Sequence, residues 1–286
     1  MIGIFDSGLG GLTILKEIKR VLPEYDYLYF GDTMHVPYGN RSQAAVFELT
    51  KKACDYLFSQ GCNLIIIACN TASALALRKL QQEYLPVLNS DPNSKIKKNI
   101  LGVTMPMAEE AARVAKNKIG VIGTAGTVNS NVYVLEFNKL AEQENSGKVS
   151  RFKIFQQACP MLVPLIEEGM IHRKETKSLL RYYLRPLKAA QVDTLILGCT
   201  HYPMLVKQIK GIMGKHCAVL NPGEIVADSL KNYLSRHPEI EKSVTKNAKR
   251  EYVVTDLNEN FQKMAMKFLG EKIKINLPDF SRKTLS

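Results

Sequence analysis

Two cysteines in this chain stand where an aliphatic run stops. In "IIIACNTAS", residues 65 to 73, Cys69 follows Ile65, Ile66 and Ile67 and precedes Asn70 and Thr71. In "TLILGCTHYP", Leu195, Ile196 and Leu197 lead through one glycine to Cys199 and Thr200. Buried strands end this way in parallel sheets, and ligands bind beyond the carboxyl ends of such strands, where helices begin. A thiol at a helix N-terminus gains from the macrodipole and the free amides, so both cysteines are expected to have thiol pKa values below about 8.5 and to act as bases near neutral pH.

Other reactive residues take similar positions. "IFDSGLGG" puts Asp6 and Ser7 after the first apolar run, with glycines that let backbone amides approach an anion. Thr13 stands at the last glycine position of a GxGxxG pattern, which argues against dinucleotide binding. "FGDTMHVPYGN" places Asp32 after the second run, with Tyr38 and Gly39 in a proline turn. "VIGTAGTVNS" offers Thr124 and Thr127 in the second half. His201 lies two residues beyond Cys199, and Glu167 in "CPMLVPLIEEG" is a candidate partner for it.

One chemistry uses such a set. Inverting a stereocentre beside a carboxylate requires a proton to leave one face of Cα and another to arrive on the opposite face. Two thiols from two facing units suffice, with hydroxyls, amides and His201 stabilising the negative charge. No pyridoxal signature is evident and the cysteines lack paired CxxC spacing, so neither an organic cofactor nor a metal is expected. A thiol hydrolase built on Cys199 and His201 is the competing enzyme class. It leaves Cys69 unexplained, and residues two apart look poorly placed to act as nucleophile and base.

These residues need a scaffold. Apolar runs alternate with amphipathic stretches: "IGIF" before "GLTILKEIKRVL", "NLIIIA" before "ASALALRKLQQEYL", "KIGVIG" before "VNSNVYVLEFNKLAEQ", "DTLILG" before "YPMLVKQIKGIM", and "CAVL" before "EIVADSLKNYL". That alternation predicts an α/β fold of βαβ units, with mostly parallel sheets flanked by helices. The near-repeat of strand, cysteine and threonine predicts two similar domains, the second at about 99 to 221. The polar stretch "NSDPNSKIKKN", residues 89 to 99, reads as a loop or linker.

The chain has 286 residues, 45% hydrophobic, enough for one large domain or two ordinary ones. Its net charge is +12. The basic residues lie scattered without aromatic interleaving, which argues against a nucleic-acid partner and for a solvated basic surface that attracts small anions. The N-terminus lacks a basic segment and meets an acid at Asp6, so it does not read as a secretory signal. Apolar runs of about six residues fall well short of the roughly 20 that span a bilayer. A soluble, cytoplasmic protein with reduced cysteines is expected.

With these motifs in place, the chain resembles glutamate racemases of the cofactor-independent aspartate/glutamate racemase superfamily. The match runs through "DSGLGG", "PYG", "ACNTAS", "GTAGTV", "CPMLVPLIEEG", "LGCTHYP", "YVVTD" and "KFLG". The resemblance implies Cys69 and Cys199 as opposed catalytic thiols, Asp6 assisting the first, and His201 with Glu167 assisting the second. It implies substrate contacts from Asp6, Ser7, Tyr38, Gly39, Asn70, Thr71, Thr127, Thr200 and His201, in a cleft between the domains. It implies that the chain returns after residue 221 to complete the first domain, 1–98 plus 222–286, and that the D-glutamate made serves peptidoglycan. A homodimer is left open. The polar stretch after Leu88 departs from the family pattern. Aspartate racemase is the nearest rival, separated by pocket depth alone.

Overall fold

The computed structural model describes residues 1–91, 96–143, 152–257 and 259–278. Pro92, in the expected 89–99 loop, lies outside them. The aliphatic runs form strands that bury both faces, as parallel strands under helices must. Three of these, β1 (Ile2–Asp6), β2 (Tyr27–Gly31) and β3 (Leu64–Ile67), have every residue buried. With β4 (Asn99–Gly102) and the late β9 (Arg250–Val254) they make a five-stranded sheet in the order β4-β3-β1-β2-β9, parallel throughout. A second parallel sheet has the order β6-β5-β7-β8, from β5 (Lys118–Gly123), β6 (Lys153–Ala158), β7 (Thr194–Gly198) and β8 (Ala218–Val219). This is the expected α/β architecture.

The strand pairing moves one expected boundary. Residue 99, read as the start of the second unit, begins β4, which pairs with β3 through Ile66 and Leu101. Ile100 is fully buried there, so the apolar run extends the first sheet and the chain leaves it only after Gly102. After β8, the helix Pro222–Arg236 packs against Gly11–Val21 and also against Thr104–Val114. A Cβ on Gly223 would stand 2.8 Å from the Glu17 side chain, so glycine is what lets the first pair approach closely. β9 then joins β2. One hydrophobic cluster runs through both sheets, from Ile2, Ile4 and Leu15 to Leu195, Leu197 and Leu205. Each large aliphatic side chain buried there contributes about 1.5–3 kcal/mol.

Among the described residues no helix is long and apolar enough to cross a membrane. All six cysteines are free and buried.

Candidate active site

The carboxyl ends of the two sheets face a common cavity of about 220 Å³. That is smaller than the roughly 300–1,000 Å³ typical of drug-sized ligands and suits a small metabolite. Strand β1 delivers Ser7 to its wall, β3 delivers Cys69, Asn70 and Thr71, β5 delivers Thr124, and β7 delivers Cys199, Thr200 and His201. Tyr38 and Gly39 close one side from the proline turn, whose Val36–Pro37 peptide is cis, and Glu167 and Glu168 close another. Two residues expected to touch substrate are not on the wall. Asp6 and Thr127 are fully buried behind it.

Cys69 is the N-cap of the short helix Asn70–Leu75, where its sulfur accepts from the Ala72 amide at 3.5 Å and lies 3.4 Å from the Ser7 hydroxyl. Burial, reinforced by the nearby Asp6 carboxyl, pushes its thiol up to about 12, although both hydrogen bonds favour the thiolate. The lowered value expected from the helix end is therefore not found, because desolvation outweighs one short helix. Burial also raises Asp6, against a lowering pull from His201 and from the amides of Gly8 and Gly11. The two Asp6 oxygens accept from the Gly8 amide at 2.9 Å and the Thr200 hydroxyl at 3.2 Å.

Cys199 does not cap an α-helix. Its carbonyl accepts from the Tyr202 amide, a 3₁₀ turn spans Tyr202–Leu205, and the helix begins only at Val206. Pro203 sits in the first turn of that 3₁₀ segment, where its missing N–H is not needed. The tight turn brings the Cys199 sulfur to 3.9 Å from His201 Nδ1, while Nε2 lies 2.9 Å from Glu167 Oε1. Residues two apart thus do face each other, contrary to the expectation used against a hydrolase. Burial pulls the His201 imidazolium down, but the Cys199 sulfur and then Glu167 more than offset it, leaving a pKa of about 10. Phe268 packs edge-on against the imidazole at 5.7 Å. Gly10 is pressed against the same turn: a Cβ there would lie 2.1 Å from Thr200 Oγ1 and 2.6 Å from His201 Nδ1.

Hydroxyls tie the two sheets together around the cavity. Thr71 Oγ1 lies 2.9 Å from Thr124 Oγ1 and 3.4 Å from Thr127 Oγ1, and Thr124 caps the helix Ala125–Asn129. Tyr133 donates to Asn70 Oδ1 at 2.7 Å, and Thr13 donates to the Thr200 carbonyl at 3.0 Å. Tyr38 donates to the buried Asp32, which also accepts from Thr255 beyond β9. Sequence reasoning missed Pro160, Val163 and Pro164, which supply an apolar wall. The proline pair in "CPMLVP" was a visible but unspecific sign of them.

The chain belongs to the Asp/Glu/Hydantoin racemase family, whose model matches residues 11–230. Glutamate racemases are among the relatives it matches over nearly its whole length. The glutamate racemase of Sulfurihydrogenibium sp. is 39% identical over 281 residues, covering 96% of this chain and 97% of that protein. A solved glutamate racemase isoform from Bacillus anthracis superposes with a TM-score of 0.84 at 32% identity, covering 98% of this chain and 97% of that one. The Francisella tularensis glutamate racemase, solved in complex with D-glutamate, has a TM-score of 0.82 at 29% identity and covers 99% and 98%.

Proposed function

We propose that this chain interconverts L- and D-glutamate by direct proton transfer between Cα and two thiols, without cofactor or metal. The observation that carries this reading is the pair Cys69 and Cys199, presented to one cavity from the ends of β3 and β7 in different sheets. The thiolate on one side takes the Cα proton, and the C–H electron pair passes into the α-carboxylate as an enediolate. The thiol on the other side then returns a proton to the opposite face, and the electron pair forms the new C–H bond. The sulfurs end with their protonation states exchanged.

The surroundings favour one starting state. Cys69, raised to about 12, begins as the thiol at neutral pH. His201, raised to about 10, carries a proton that can balance negative charge on Cys199. The proton from Cα therefore goes first to Cys199, and Cys69 delivers. In the reverse direction Cys69 must become the base, with Asp6 behind it as the nearby acid–base group. Among the lining residues only His201 carries positive charge, so the substrate carboxylates rely on it and on Ser7, Asn70, Thr71, Thr124, Thr200 and their amides. The D-glutamate formed would feed peptidoglycan synthesis in the cytoplasm.

The test is to follow optical rotation of L-glutamate, and separately of L-aspartate, with dialysed protein in D₂O. Loss of rotation with glutamate, deuterium at Cα of early product and protium in the remaining L-glutamate would support the reading. Turnover restricted to aspartate would overturn the substrate, and early product that keeps its original hydrogen would overturn the two-thiol route.

A further inference from the structure

Away from the catalytic cavity, the helix Lys174–Ala189 and the helix Val206–Met213 enclose an open groove of about 1,050 Å³. Six of its lining residues are Arg173, Lys177, Arg181, Arg185, Lys188 and Lys207, and no Asp or Glu lines it. The first four recur every four residues, so they form one stripe with steps of about 6 Å along a single helix face. All six are exposed. Among the described residues none of them forms an ion pair. Like charges four apart on a helix repel one another, so the stripe works against the helix that carries it. Lys207, from the facing helix, adds charge to the other wall.

The floor differs from the walls. It is made by Ile171, Met204, Ala189 and Ile212, with Gly211 open beside them. Gln208 bonds the Ile171 carbonyl at 3.3 Å and Lys188 bonds the Ile212 carbonyl at 2.8 Å, fixing the two sides in place. A phosphate chain would have nothing to set on an apolar floor, and His172 is the one aromatic side chain in the lining, with no Phe, Tyr or Trp to form a stacking platform for bases. The geometry points to an acidic amphipathic segment of a partner protein as the occupant, its apolar stripe on the floor and its carboxylates on the basic walls, as in other helix-in-groove contacts.

The test measures anisotropy of a labelled helical peptide of about 18 residues, ~27 Å long, with leucines at i and i+4 flanked by glutamates. Its partners in the assay are a permuted peptide of identical composition, a DNA duplex and inorganic polyphosphate, each titrated into the full chain. The patterned peptide should bind roughly tenfold more tightly than the permuted one and weaken as salt rises. The double change Arg181→Glu with Arg185→Glu should reduce that binding by roughly tenfold while glutamate turnover stays at its original rate. Gly211→Phe fills the open floor without changing charge and should weaken the patterned peptide alone. Equal binding of the permuted peptide, tighter binding of duplex or polyphosphate, or binding indifferent to both variants would each overturn the proposal.

Discussion

At the end of β3, the Cys69 sulfur meets a hydroxyl, one backbone amide and a buried carboxyl. At the end of β7, the Cys199 sulfur meets an imidazole backed by a carboxylate. Two strand ends that look alike in sequence therefore differ in their surroundings: burial and a nearby carboxyl disfavour charge on one sulfur, while a protonated imidazole stands beside the other. Similar backbone placement fixes where a proton can be moved. On the proposed mechanism, the second layer of side chains would decide which sulfur holds that proton before substrate arrives.

The severest way to break the comparison is to remove either sulfur. Cys69→Ala and Cys199→Ala should each lower racemisation by about 10³-fold or more, since each leaves one face of Cα without a proton carrier. Cys54→Ala and Cys217→Ala, both remote from the cavity, should lower the melting temperature and leave kcat unaltered. A folded Cys54→Ala protein without activity would mean the wrong thiols were chosen.

Changing the supporting layer should expose the asymmetry directly. Asp6→Asn and His201→Asn are expected to lower kcat by roughly 10²-fold, each more in one direction than in the other. Because the equilibrium between enantiomers is fixed, KM must compensate. Equal losses in both directions for both variants, in initial-rate assays with each enantiomer, would contradict side-specific roles.

Titration sharpens the contrast further. His201 has a folded pKa raised from 6.5 to about 10, so its contribution to stability is fully present below pH 6.5 and is lost as pH rises towards 10. Cys69 is raised from 9.0 to about 12, so its contribution is lost only above pH 9. The melting-temperature gap between the original protein and His201→Asn should therefore shrink between pH 6.5 and 9, while the gap to Cys69→Ala should hold over that span. Parallel behaviour of the two gaps would remove the distinction.

The smallest expected effect comes from Gly10→Ala. The atoms nearest its methyl group would be those of Thr200 and His201, on the Cys199 side. About a tenfold loss of kcat is expected, in the same direction that His201→Asn damages most. A loss shared equally by both directions would show that the glycine serves general packing.

Both sulfurs were legible in the sequence because a period of uniform burial ending at a polar residue marks a strand end whatever its neighbours do. Their ionisation was not, since desolvation depends on what closes over the sulfur from the other sheet. The membership of β4 was misread for a related reason: strand partners are chosen by long-range pairing, and Asn99–Gly102 carries no mark of which sheet it joins. β6 escaped notice because "KIFQQA" is only half-buried, at an edge, and lacks a long aliphatic run. The basic stripe looked scattered until the helix supplied its period of four.

The hydroxyl bonds that join the sheets have a kinetic consequence. Thr71 to Thr124 and Thr127, Tyr133 to Asn70, and Thr13 to the Thr200 carbonyl are neutral, each worth about 1 kcal/mol net, and the Thr200 hydroxyl adds one bond to the Asp6 carboxyl. Any parting of the sheets that lets glutamate in or out must break these bonds and no ion pair among them. The opening rate should then hardly respond to ionic strength, even in a chain of net charge +12, whereas capture of the anionic substrate from bulk solution should slow as salt is added.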